Sequence, residues 1–283
     1  MMSSRFRTTL LSLSLLVVGA GCDNSVDQVI PDPDATPEGW TLVWSDEFDG
    51  ASLDTTKWTL ELGDGCPSLC GFGNNELQTY TADNHTVGDG LLTITARQET
   101  DSTYTSTRMN TRSKGDWTYG RFVARIKLPV GQGIWPAFWM FFSEDTYGGW
   151  AASGEIDIME YIGSRPGEVF GTLHYGGPAP ANVFSGDEFA LSASSFTEDF
   201  YVFAIEWEEG EIRWYVNNVL YQTQTSEDWY TTGSNDPAAP FNHDFFLLLN
   251  MAVGGNLPGA PDETTVFPQT MEVDYVRVYQ RQP

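Results

Sequence analysis

Positive charge is what this sequence has least of. Its 14 Lys and Arg stand against 39 Asp and Glu, with three His, for a formal net charge of −25. Polyanion binding depends on basic contacts, so nucleic acid and sulfated polysaccharides such as carrageenan are excluded as partners. Cysteine is nearly as scarce, with three in the chain. Cys66 and Cys70, in "GCPSLCG", are close enough to pair in an oxidising compartment, which leaves Cys22 with a separate job. A C-x3-C pair can also bind metal, but no His or further Cys stands nearby to complete a tetrahedral site. The expectation is a disulfide that pins a surface loop. Helical periodicity is the third absence: no segment reads as a convincing amphipathic helix.

What is present begins with a leader. Residues 1–21 carry Arg5 and Arg7, then the apolar "TTLLSLSLLVVGAG" without an acidic residue, the order of a secretory signal. The run is too short and too rich in Ser for a membrane span. Its removal leaves 12 − 39 = −27. Cys22 follows Gly19, Ala20 and Gly21 and resembles the lipidated cysteine of a bacterial lipoprotein signal, with Gly19 where that pattern prefers Leu. The chain is therefore expected to be exported and lipid-anchored to the cell envelope, on its periplasmic or outer surface. The alternative is ordinary secretion. Residues 22–39 are rich in Asp and Pro and read as a disordered linker. The whole chain is 41% hydrophobic and 14% aromatic, enough for the rest, 40–283, to bury one sizeable core.

That domain reads as strands. "YGRFVARIKL" (119–128) alternates, with Phe122, Ala124, Ile126 and Leu128 on one face and Arg121, Arg125 and Lys127 on the other. Segments 40–48, 91–98, 135–142, 169–175, 201–209, 245–253 and 271–279 add more. "IRWYVNNVLYQTQ" (212–224) places two β-rich runs around Asn217-Asn218, and Asn tolerates the positive φ of a tight hairpin. Many strands, Gly/Pro/Asn connections and no repeat period predict an all-β antiparallel sandwich.

One segment conflicts with simple alternation. In "GEIDIMEYIG" (154–163) a regular strand would put Glu155 and Asp157 on one face and Glu160 on the other, in the core, at high cost. A β-bulge within Ile158–Met159 resets the alternation and returns Glu160 to the side of the other two. The glutamate Cα atoms would then lie on the order of 13 Å apart at ~3.3 Å per residue. Side chains leaning together from there can reach the ~5–5.5 Å carboxyl separation of a retaining glycosidase. Like-charged neighbours raise the proton affinity of one member, so one glutamate can be acid while another stays ionised, with Asp157 helping to set the split. The alternatives are a solvated acidic edge strand or a Ca²⁺ site. The interleaved Ile156, Ile158 and Met159 favour catalysis, because a loop cation site needs no buried strand.

"GEIDIMEYIG" resembles the E-x-D-x-x-E signature of glycoside hydrolase family 16, and in particular its bacterial laminarinases, or endo-β-1,3-glucanases. The likeness continues in family order through "LVWSDEFDG", "GNNELQTYT", "GLLTITARQE", "YGRFVARIKLPVGQGIWPAFWM", "GTLHYGG", "MAVGGNLPG" and "MEVDYVRVYQ". It implies a β-jelly-roll of two curved antiparallel sheets with a concave substrate cleft, cleaving by double displacement with retention. By position, Glu155 would be the nucleophile, Asp157 its helper and Glu160 the acid/base, with His174 of "TLHY" near them or serving only as a strand histidine. Trp135, Ala137, Trp139 and Phe141 share a strand face, and Pro136 suggests an edge or irregular position. Tryptophan faces suit the C–H faces of pyranose rings. The resemblance places Trp135 and Trp139 in the cleft rather than the core, and Asn75 and Arg108 on sugar hydroxyls.

Leu257 is a departure, since "GGNLPG" has Leu where laminarinases have Trp, which bears on fine specificity rather than reaction class. The resemblance also implies a structural Ca²⁺ at Glu47, Gly90 and Asp274, away from the cleft, and no cofactor for catalysis. The expected partner is a neutral β-glucan, indifferent to the acidic surface, acted on by a monomer that meets a membrane only through its anchor. Other neutral glycans, mixed-linkage glucan or agarose, remain alternatives, as does a non-catalytic glucan-binding module. Binding-only relatives replace the glutamates, and here both remain.

Overall fold

A computed structural model of the chain describes residues 35–281. The expected leader, Cys22 and the first part of the linker lie outside the described residues. In chain order the first strands are β1 (Trp40–Asp46), β2 (Thr59–Glu61), β3 (Gln78–Tyr80), β4 (His85–Gly88), β5 (Leu91–Thr100) and β6 (Thr103–Ser106). Next come β7 (Arg108–Asn110), β8 (Asp116–Trp117), β9 (Gly120–Lys127), β10 (Ile134–Phe142), β11 (Glu155–Tyr161) and β12 (Glu168–Gly176). The last are β13 (Asn182–Ala190), β14 (Tyr201–Glu208), β15 (Glu211–Val216), β16 (Val219–Thr225), β17 (Phe245–Val253) and β18 (Gln269–Arg281). The helical turn among the described residues is a short 3₁₀ segment, Cys70–Gly73.

These strands form two sheets. One runs β16-β15-β14-β9-β18-β5-β6-β3, with β1 paired to β18 and β4 to β5; the other runs β13-β12-β11-β10-β17-β7-β2, with β8 on β17. Pairing is antiparallel except between β3 and β6. One apolar core fills the space between the sheets, with Phe122, Ala124 and Ile126 of β9 facing Phe138 and Met140 of β10 and Leu247 and Leu249 of β17. The alternation of β9 thus directs its apolar set inward, as expected. Its other face is not solvated throughout: Arg121 is 3% exposed, ion-paired to Glu206. A small second cluster of Trp40, Val123, Val202, Ala204, Tyr275 and Tyr279 covers that outer face.

The predicted hairpin is present, with Asn217 and Asn218 at φ 47° and 63° between β15 and β16. Of the two expectations for Pro136, an edge or an irregular position, the second holds. β10 is an interior strand between β11 and β17, not an edge. Pairing with β11 starts only at Ala137, so Pro136 sits just outside that ladder. β13 gave no sequence signal, because most of its residues are exposed and it lacks an apolar face.

Candidate active site

The decisive local structure is in β11. Against β10, Trp139 pairs with Asp157 and Phe138 with Met159, which leaves Ile158 without a counterpart; the β12 ladder shifts between Asp157 and Glu160. Ile158 and Met159 are consecutive yet both point into the core, at 2% and 0% exposure. That is how a bulge spends one residue, and it leaves Glu155, Asp157 and Glu160 on the opposite, concave face. At the bulge, the Asp157 carbonyl accepts a 2.9 Å hydrogen bond from Trp214 Nε1 of the other sheet.

The three carboxylates line a groove of about 1180 Å³. Its walls come from β13, β12, β11, β10, β17, β7 and the Cys70–Gly73 turn, so it crosses nearly the full width of the concave sheet. Each acid has its own environment. Glu155 Oε2 accepts 2.9 Å from Trp150 Nε1, and His174 Nε2 lies 3.7 Å from Oε1. Glu160 Oε1 accepts 3.1 Å from Trp135 Nε1, and Oε2 a longer 3.5 Å contact from Thr172 Oγ1. Asp157, 3% exposed, lies 3.3 Å from His174 Nε2. Asp157 Oδ2 is buried, and the imidazole is the group that meets it.

Burial and crowding tune the titration. Burial first, and then the charge of Asp157, push Glu155 up to about 7. The same two causes, with Glu155's charge added, push Glu160 up to about 8. Burial draws His174 down, but contact with Asp157 and the charges of all three acids outweigh it and carry it up to about 10. At neutral pH the site therefore holds one imidazolium among the carboxyls, with Glu160 the more protonated glutamate.

The banks of the groove are aromatic and amide-rich. Trp139 Nε1 donates 2.8 Å to Asn250 Oδ1, and the Arg108 guanidinium lies over both Trp139 and Phe72 while pairing with Glu61. Glu76, raised by burial, accepts from Gln78 at 2.7 Å and from Tyr80 at 3.3 Å. Of the residues singled out in the sequence, Trp135, Trp139, Arg108, His174 and the three acids converge on the groove. Asn75 does not line it: its side chain donates 2.8 Å to Asn256, and Asn74 and Asn256 face the groove instead. Leu257 lines one end of the groove, 45% exposed. Cys66 and Cys70 are bonded, tying the loop that presents Leu69 and Phe72 to that end.

Sequence reasoning missed Trp150, Glu76, Asn250 and Phe184, all of which line the groove. Trp150 had a signal, standing five residues before Glu155 after a Gly pair. Phe184 had none. It is 70% exposed on β13, directly opposite His174 in register and 5.8 Å from its ring.

Away from the groove, β1 and β5 lie end to end along the edge of β18 not used by β9, leaving Asp274 at their junction. Glu47 follows β1 and Gly90 precedes β5, so the three residues expected to hold a cation border one gap. Asp274 Oδ2 is bonded by Arg125 at 2.6 Å, and both Glu47 oxygens are bonded by Arg277. A cation there would draw on main-chain carbonyls and compete with Arg125 for Asp274.

Comparison with known proteins gives a consistent picture. The signature described as Glycosyl hydrolases family 16 matches residues 72–250. A glucan endo-1,3-beta-glucosidase A1 of Niallia circulans is 44% identical over 86% of this chain, which spans 38% of that longer protein. A beta-glucanase of Rhodothermus marinus is 43% identical over 85% of each chain. The laminarinase catalytic domain of Thermotoga maritima superposes with a TM-score of 0.78 at 42% identity, covering 87% of this chain and all of that one.

Proposed function

From the premise that the chain belongs to glycosyl hydrolase family 16, we propose that it is an endo-acting β-1,3-glucanase cleaving with retention of configuration. The observation that carries this reading is the bulge in β11, which sets three carboxylates on the floor of a groove that crosses the concave sheet. A groove walled from β13 to β7 accepts the interior of a polymer rather than only its end. Glu160, held protonated by burial, donates to the departing glycosidic oxygen. Glu155, whose ionised form receives the Trp150 N–H, attacks the anomeric carbon and forms a glycosyl-enzyme. Glu160 then takes a proton from water, which displaces Glu155 and restores the starting configuration. Asp157 and the His174 cation hold the charge balance between them.

Product analysis tests the reading. Purified residues 40–283 are expected to release short β-1,3 oligosaccharides from laminarin in preference to products from mixed-linkage β-glucan or agarose. Binding of laminarin without cleavage of any of the three would replace the enzyme with a binding module.

The pH dependence follows from the two glutamates. Glu155 must be ionised, so kcat/KM falls as pH drops through about 7; Glu160 must be protonated, so it falls again as pH rises through about 8. Because the acids share Asp157 and His174, the limbs belong to the cluster. The expected outcome is a narrow bell, read from kcat/KM on laminarin between pH 5 and 10.

Phe184 adds an exposed aromatic surface on the β13 bank, opposite the Trp135 and Trp139 bank. Phe184→Ala is expected to raise KM for long β-1,3 oligosaccharides about three- to tenfold, the worth of roughly 1 kcal/mol of ring contact, with kcat little changed. Phe184→Tyr should leave KM near the parent value.

The reading extends to export and a lipid anchor at Cys22, supported by the leader sequence and a cysteine with no partner of its own. It also includes a Ca²⁺ held by the Glu47 and Gly90 carbonyls with Asp274, supported by their convergence beside β18. Thermal melting with Ca²⁺ and with chelator tests the second point: a rise in Tm with Ca²⁺, absent in Asp274→Ala, is expected.

A further inference from the structure

The segment between β10 and β11, residues 143–154, carries Trp150 and runs directly into Glu155. Within it, Ser153 N and Gly154 N close backbone turns on Gly149 O and Ala151 O, while Ser153 Oγ accepts 2.9 Å from Tyr147 N and donates a longer 3.4 Å contact to Asp145. A side chain from another element joins the same two legs a second time. His243, just before β17, places Nε2 3.0 Å from the Ser153 carbonyl and Nδ1 3.3 Å from Thr146 Oγ1. A carbonyl can only accept, so Nε2 carries the proton and Nδ1 accepts from the threonine hydroxyl. The imidazole also packs edge-on against Tyr147 and lies 4.9 Å from the Phe245 ring. Beneath it, Gly154 sits so close to Phe241 and Phe245 that a Cβ there would lie 3.0 Å from each, which leaves the end of the loop little room to shift.

We infer that His243 is a positioning residue for the nucleophile: it staples the two legs of the 143–154 loop and so holds the Trp150 indole N–H on Glu155. The reasoning is one of transmitted geometry. The indole hydrogen bond favours the ionised carboxylate, and its strength depends on a loop that His243 ties at Thr146 and Ser153, beside the bonds from Thr231 to the Ala152 carbonyl, from Ala179 N to the Trp150 carbonyl and from Tyr147 to Asn242. Burial keeps His243 neutral against the pull of Asp244, and Glu144, Asp116 and Arg112 line the same small hollow of about 320 Å³. The groups facing Glu155 are Asp157, His174, Glu160 and, at longer range, Arg108.

This inference rests on Glu155 being the nucleophile, and the test separates the two. His243→Ala is expected to move the acid limb of the kcat/KM profile up by about one pH unit, so that the rate at pH 6 falls roughly tenfold while the plateau changes less than about twofold. Trp150→Phe should move the limb by a similar amount, and the double variant by no more than either alone. His243→Gln, whose amide nitrogen reaches where Nε2 does, should restore the parent limb; His243→Asn, too short to reach Ser153, should not. A ¹³C titration of the Glu155 carboxyl, assigned with Glu155→Gln, reads the same shift in the free protein without turnover. A lower Tm with an unmoved Glu155 titration, or a His243→Gln limb displaced as far as that of His243→Ala, would overturn the role. A wild-type protein inactive on every glucan, with the ¹³C shift still present in His243→Ala, would instead sink the glucanase reading and leave the positioning intact.

Discussion

Glu155→Gln is expected to lower kcat on laminarin by roughly 10⁴-fold or more, since loss of a nucleophile in another class of hydrolase costs on the order of 10⁶. The amide is nearly isosteric and keeps an oxygen for Trp150 Nε1, so the fold and the groove should persist, and laminarin should still bind. The informative variant is Glu155→Ala assayed with an aryl β-glucoside oligomer and azide. With the nucleophile gone, azide enters from its side in a single displacement, and the product is the α-glycosyl azide. A variant that keeps a tenth of its activity and still gives β-configured sugar would remove Glu155 from the role.

Glu160→Ala has the second largest expected effect, and its size should depend on the leaving group. General acid catalysis is worth about 10²–10⁴-fold, so laminarin, whose departing sugar hydroxyl needs a proton, should lose activity in that range. A dinitrophenyl glycoside, whose phenolate leaves unprotonated, should form the glycosyl-enzyme at close to the parent rate and stall at its hydrolysis. Azide should relieve the stall and give the β-glycosyl azide, the opposite anomer to that from Glu155→Ala. Equal losses on both substrates would show that Glu160 holds structure rather than a proton. Trp135, whose indole donates to Glu160, loses its partner in this variant, so intrinsic fluorescence should confirm that the groove keeps its shape.

How much of this was legible in the sequence differs from residue to residue. The bulge was readable because its absence would bury a glutamate: Ile158 and Met159 side by side between acids admit few other solutions. The β9 alternation and the Asn217-Asn218 turn were equally explicit, each encoding its geometry locally. Pro136 left two readings open, and the edge failed while the irregular position held, because an interior strand can tolerate proline where a neighbour's ladder has not yet begun, and the start of that ladder is set by a different strand. Asn75 bonds Asn256 with its side chain, and its neighbour Asn74 lines the groove, a one-position difference that spacing alone does not encode. Phe184 and His243 were invisible for a common reason. Each acts across a contact between segments far apart in the chain, and neither belongs to a local pattern.

The bond from Trp214 to the Asp157 carbonyl gives the outer sheet a hand in the chemistry. The indole is fully buried, and its N–H reaches through the sandwich to a backbone oxygen at the bulge. The height of the catalytic floor is therefore referenced to β15, not only to its neighbours in the concave sheet. Substitutions that reshape packing around β15 would act as a remote adjustment of acid spacing, detuning the pair without replacing any groove residue. Selection for heat or cold tolerance working on that sheet would then leave its trace in turnover as well as in melting.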